Sequence, residues 1–239
     1  MTSIVSTPFL SAFRMSDVAT PAPGAPASPV AAPGGTIWVE RTNGKRLEQL
    51  DGEWADLVTR ASEPNVFMHP ALLQSLGDEV VTLLAWYEAG GVLQLIGVWA
   101  FVLARVTLVQ ALRSPPFPHS YLATPVVDRN QAEAALSAML DYVEQTRDLP
   151  KSIWLDPIRL DGPTMHALAK VVSARRGSVR VVTSTARPVL ASDLDGKQYF
   201  EKALSSSSRK KLRQHRRRLE EKGVLDSVIY TTTDEVKKA

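Results

Sequence analysis

Residues 80 to 106 read VVTLLAWYEAGGVLQLIGVWAFVLARV, and the fold turns on this stretch. Val80 to Trp86 and Val92 to Val106 are rich in β-branched and aromatic residues, which fit a pleated, half-buried surface better than a helix. Between them, Glu88-Ala89-Gly90-Gly91 supplies a hairpin turn, so antiparallel strands are expected here. The apolar run from Gly91 to Ala104 is interrupted by Gln94 and falls short of the roughly 20 residues that a membrane-spanning helix needs. It reads as buried strand.

Upstream, Ile37, Trp38 and Val39 form a short strand signal. Leu50, Trp54, Leu57, Val58 and Ala61 then recur at helical spacing and mark one helix face. Pro64 and Asn65 break the chain, and His69 to Leu76 offers a second short helix that Gly77 stops. Downstream, Ser114 to Pro125 holds four prolines, which makes it a surface or cleft loop leading through Tyr121 and Leu122 to a strand near Asp128. A helix is expected from Asn130 to about Arg147 on the stripe Leu136, Met139, Leu140 and Val143, followed by a strand at Ile153 to Leu155. The next helix, with Asp161 as its cap, carries Met165, Leu168, Ala169 and Val172 and ends at Gly177. Val179 to Val182 and Pro188 to Leu190 read as two further strands.

The two ends differ from this middle. Residues 1 to 35 contain six prolines, seven alanines and only two charged side chains, Arg14 and Asp17, and are expected to be a disordered tail. Ser, Thr and Pro interrupt each of its short apolar patches, so a secretory signal is not expected and a cytoplasmic location is. From Asp195 the chain reads as a short helix, a serine run and a basic helix from about Arg209 to Lys222. Gly223 then serves as C-cap before a strand from Val224 to Thr231. Residues 209 to 218 carry seven positive charges, without which the net charge of +3 becomes −4. An electrostatic partner therefore meets that segment rather than the whole surface.

Several chemistries lose their support at once. The absence of cysteine removes disulfides, thiolate metal sites and a cysteine nucleophile. Gly-x-Ser-x-Gly is missing, since Leu73-Gln74-Ser75-Leu76-Gly77 lacks the first glycine. No His-Glu-x-x-His, Walker loop or dinucleotide glycine fingerprint occurs either.

The order strand, two helices, antiparallel strands, helix, strand, helix, two strands resembles the GNAT acyltransferase fold. Four patches sharpen the resemblance. They are Trp54-Ala55-Asp56-Leu57 leading to Glu63-Pro64-Asn65-Val66-Phe67-Met68-His69-Pro70, Leu122-Ala123-Thr124-Pro125-Val126-Val127-Asp128, Ile153-Trp154-Leu155, and Ser208-Arg209-Lys210-Lys211-Leu212-Arg213-Gln214-His215-Arg216-Arg217-Arg218-Leu219. Together they are similar to the double-GNAT acyltransferases of the CelD-like branch, tied to cellulose and exopolysaccharide biosynthesis and related to the Fem-type aminoacyltransferases of peptidoglycan.

The resemblance implies an α/β fold with a GNAT-like mixed, largely antiparallel sheet flanked by helices over residues 36 to 192. Residues 193 to 239, the basic helix and first strand, would begin a second, incomplete GNAT-like half. It also implies transfer of an acyl group from acyl-CoA, as co-substrate, to an amine acceptor in polysaccharide or cell-envelope biosynthesis, with no metal. Against it, the chain has no Gln/Arg-x-x-Gly-x-Gly/Ala loop, with which GNAT enzymes present backbone N–H groups to a CoA pyrophosphate. The alternative is a non-catalytic GNAT-scaffold module that holds an anionic partner through its basic helix, or a truncated, inactive remnant that self-associates through its second half.

Candidate site residues follow from these readings. His119 and Tyr121 share the proline-rich loop and are able to handle protons if it lines a cleft, with a structural role as the alternative. Arg209, Lys210, Arg213, Arg216 and Arg217 are the anion-binding candidates, against the reading of a solvated helix. Asp156 is either an amine-orienting carboxylate or an ordinary strand exit. His69 is expected to cap a helix, His215 to pack on the apolar stripe, and Ser205 to Ser208 to cap the basic helix.

Overall fold

The computed structural model describes residues 29–32, 34–106, 108–117, 120–186 and 192–229, and these divide between two compact units, Met1–Arg180 and Val181–Ala239. In the first unit the hairpin read from the sequence is the centre of a mixed, mostly antiparallel sheet. Strand β3 (Val80–Ala89) pairs with β4 (Val92–Val106) from Val80↔Val102 to Ala89↔Val92, and Gly90 and Gly91 turn the chain with φ of 58° and 77°. Outside it lie β1 (Val30–Ala32) and β2 (Gly35–Thr42), which pairs with β3. β1 occupies residues expected to belong to the tail. There Val30 to Ala32 fold back onto Gly35 to Ile37 and give that edge of the sheet one more strand.

A β-bulge sets which side chains reach which face. The register shifts between Ala85 and Trp86, so that Leu95 lies opposite Trp86 but Gly97 lies opposite Ala85. Beyond the bulge, Val81, Leu83, Ala85, Trp99 and Phe101 share one buried face, and Val80, Leu84, Val98 and Ala100 share the other. Helix α4 (Ala132–Gln145) covers the first face at close range, because a Cβ on Gly97 would stand 2.8 Å from Met139 Cε and 3.3 Å from Ala85 Cβ. Leu136, Met139, Tyr142 and Val143 of α4 are buried there, each contributing about 1.5–3 kcal/mol. Helix α5 (Pro163–Ala174) joins α4 on this face through Met165, Leu168 and Val171.

The opposite face is covered by α1 (Gly44–Leu47), α2 (Asp51–Arg60) and α3 (Pro70–Gln74), which bury Leu47, Trp54, Leu57 and Leu73. Ion pairs on Arg41 and Arg60 tie distant segments of this unit together. Arg41 of β2, whose side chain is almost fully buried, donates to Asp148 Oδ2 at 2.8 Å, and its hydrogen bond holds the Asp148 carboxyl below the ordinary range. Arg60 pairs with buried Asp128 and with Asp56 at 2.6 Å, and donates to the Leu95 carbonyl at 2.8 Å.

Strands β5 (Val109–Arg113) and β6 (Val126–Val127) attach to the same edge of β4, at Val102–Val106 and at Gly97–Val98. The register leaves room for only Trp99, Ala100 and Phe101 between them, yet residues 114–125 intervene. The loop is thus inserted into what would otherwise be one continuous strand. β7 (Ile153–Trp154) then pairs in parallel with β5.

Two expectations fail in this unit. Asp161 does not cap α5. The N-cap is Gly162, Asp161 pairs with Arg159 at 2.8 Å, and the Thr164 N–H instead donates to Glu63 Oε2 at 3.1 Å. Val179 to Val182 form no strand, because Val179, Val181 and Val182 are exposed and no described strand lies beside them. A run of valines without a partner edge stays irregular. Pro188 to Leu190 lie outside the described residues.

The second unit holds α6 (Gly196–Ala203) and α7 (Ser206–Glu220). Asp195 Oδ1 caps α6 and Ser205 Oγ caps α7, accepting from Gln198 N at 2.8 Å and Ser208 N at 3.1 Å. α7 ends at Glu220 rather than at Gly223. Val224 to Ile229, expected to begin a strand, have no strand pairing and are exposed. No described residue of this unit is buried.

Candidate functional site

Three loops meet at the carboxyl ends of the parallel pair β5 and β7, the position where open α/β sheets offer crevices. The first runs from Ala61 to His69, the second is the inserted loop 114–125, and the third runs from Leu155 to Gly162. Asn65, 2% exposed, ties the first to the second. Its Oδ1 accepts from Phe67 N at 3.0 Å, and its Nδ2 donates to the Thr124 and Leu122 carbonyls at 2.7 and 3.3 Å. Ala123 N donates to the Pro157 carbonyl at 2.7 Å, and the Ser114 hydroxyl donates to the Asp156 carbonyl at 3.2 Å, joining the second to the third. Phe67 and Phe117 meet with ring centroids 6.1 Å apart.

These ties place two candidate side chains at one rim. Tyr121 is exposed two residues before Ala123, and Asp156 is exposed one residue before Pro157, across a cis peptide bond. The Asp156 backbone is held by Ser114, while its carboxylate has no hydrogen bond or ion pair among the described residues. Glu63 is already engaged at the N-terminus of α5. Asp161 lies beyond, its carboxyl kept below the ordinary range by the hydrogen bond from Arg159. The Thr124 hydroxyl is buried in the base of the inserted loop without a partner. His119 lies outside the described residues.

The junction between β6 and α4 has a different character. Asp128 Oδ1 accepts from Asn130 N at 2.8 Å, its other oxygen is paired with Arg60, and Arg129 donates to the carbonyls of Thr59 and Arg60 at 3.0 and 3.1 Å. Residues 128 to 131 contain no glycine. The helix start therefore lacks the glycine-lined turn with which a backbone brings its N–H groups up to a CoA pyrophosphate. The junction does not fit the donor.

The five anion-binding candidates fall on α7 but do not form one set. Arg209 donates to the Glu201 and Leu204 carbonyls and so caps the end of α6. Arg216 pairs with Glu220 at 2.9 Å, and Arg217 stands 3.9 Å from Glu221. Lys210 and Arg213 are exposed with no carboxylate partner among the described residues. His69 caps α3 as expected, accepting from Ala71 N at 3.2 Å, and His215 is exposed. Asn65 and Glu63 were legible only as residues flanking a Pro64 chain break, and their role in tying the loops had no sequence signal. Among the described residues, no group of three or more His, Asp or Glu side chains is placed to hold a metal ion. No protein-family model, curated protein or solved structure matches the chain.

Proposed function

We propose that the chain is the acceptor-holding part of a GNAT-type N-acyltransferase, which moves an acyl group from acyl-CoA to an amine, with polysaccharide or cell-envelope precursors as the acceptor class. The observation that carries this reading is the rim at the carboxyl ends of β5 and β7. There the Asp156 carboxylate, unpaired among the described residues, and the Tyr121 side chain are exposed on backbone cross-tied at 2.7–3.2 Å. A carboxylate at such a rim attracts an ammonium group, and a phenol on the same rim is able to pass on the proton that the nitrogen must lose before attack. The donor is assigned elsewhere than the β6–α4 junction, which has no glycine-lined turn to receive it.

The same lack of a glycine-lined turn favours a second reading, a non-catalytic scaffold that binds without transferring. Calorimetric titration separates the two. Glucosamine, as a soluble amine probe, should bind more tightly than glucose, and Asp156→Asn should abolish the difference. Release of free thiol from acetyl-CoA in the presence of the amine would identify transfer. Indistinguishable glucosamine and glucose titrations would remove the acceptor reading, and amine binding without thiol release would leave the scaffold.

A further inference from the structure

We infer that α7 is an interfacial helix that lies on an anionic lipid surface. At about 100° per residue, Leu212 and Leu219 fall within about 20° of each other, and both are exposed, at 49% and 55%. With Leu212 at 0°, Arg213, Arg217 and Lys210 fall at about 100°, 140° and 160°, and Arg218 and Lys211 at about 240° and 260°, so these basic residues occupy the face opposite the leucines. A helix with this layout sets its leucines among acyl chains while its basic side chains extend outward to lipid phosphates.

Charge complementarity selects the occupant. Seven positive charges lie within residues 209–218, and among the described residues Glu220 and Glu221 pair with Arg216 and Arg217. Such a density suits the negative potential of a bilayer rich in anionic lipid. A phosphodiester backbone would use the charges but would leave the exposed leucines without a role, and α7 offers no Phe, Tyr or Trp on which a base could stack. No described helix is long and apolar enough to cross a membrane, so α7 would lie on the surface rather than span it. This inference stands apart from the acyltransferase reading, and neither depends on the other.

Co-sedimentation of the full 239-residue chain with phosphatidylcholine vesicles, with and without phosphatidylglycerol, tests it. Binding is expected only with phosphatidylglycerol and should weaken as salt rises. The triple variant Lys210→Gln, Arg213→Gln, Arg217→Gln should bind on the order of 100-fold more weakly. Leu212→Ala with Leu219→Ala should lose at least about tenfold. All five positions are exposed, so circular dichroism should show unchanged helix content. No binding to phosphatidylglycerol vesicles would overturn the inference. So would binding indifferent to the two leucines, or tighter binding to a double-stranded RNA oligomer that survives their replacement.

Discussion

Replacing Asn65 should loosen the whole rim at the ends of β5 and β7, because one buried amide holds two loops by three hydrogen bonds. Asn65→Ala deletes the bond to the Thr124 carbonyl at 2.7 Å and the cap on Phe67 N at 3.0 Å. It also deletes the longer bond to the Leu122 carbonyl at 3.3 Å. Each good bond is worth about 1 kcal/mol net, and leaving the buried Thr124 carbonyl without a donor adds about 1–2 kcal/mol. The expected loss is roughly 2–4 kcal/mol.

Asn65→Asp is the sharper probe. The new carboxylate still accepts from Phe67 N, but its second oxygen faces the two carbonyls that the amide NH2 now satisfies. Only the protonated form is able to donate there, so the folded state binds a proton more tightly than the unfolded chain does. The sign follows from linkage. Stability is fullest below the unfolded carboxyl value of about 3.9 and declines as pH rises through the higher folded value, the reverse of an ordinary carboxylate. At neutral pH Asn65→Asp should therefore be less stable than Asn65→Ala, with the gap narrowing in acid. Urea unfolding at several pH values measures the difference, and chymotryptic cleavage after Tyr121 reports the released loop. An alanine variant within about 0.5 kcal/mol of the parent, or an aspartate variant more stable than the alanine one at pH 7, would refute the reasoning.

Other substitutions test the frame around the rim. Gly97→Val should cost about 1–3 kcal/mol by driving a side chain against Met139 and Ala85, and pairing it with Met139→Ala should recover part of that in a double-mutant cycle of thermal unfolding. Arg60→Leu leaves Asp128 buried and unpaired and should cost about 3–5 kcal/mol, more than Asp56→Asn, whose partner retains Asp128. Asp148→Asn removes a carboxyl that Arg41 holds below its ordinary value. The stability this pair contributes is present above the unfolded value of about 3.9 and lost as pH falls through the lowered one, so the variant should show a flatter decline of stability in acid. Tyr121→Phe, which keeps the ring and removes the proton-carrying hydroxyl, should slow any amine-dependent thiol release by about 100-fold.

What the sequence determined by itself was local. The periodic stripes of α2, α4 and α5, the β-rich runs on either side of Gly90-Gly91 and the serine cap of α7 are all set by residues within a few turns of one another, where spacing and propensity act directly. The charge of α7 was equally plain, since seven basic residues need no fold to be counted. Only the tertiary structure decided which edges meet. β5 and β6 share one edge of β4, Glu63 caps a helix that begins a hundred residues later, and Arg60 neutralises Asp128 on the segment bridged to its own. The runs at Val179 to Val182 and Val224 to Ile229 have the composition of strands and find no partner, since a strand exists only where another edge satisfies its backbone. Such pairings are settled by long-range closure and burial, so the rim carrying Tyr121 and Asp156 came into view only once the loops were seen tied together.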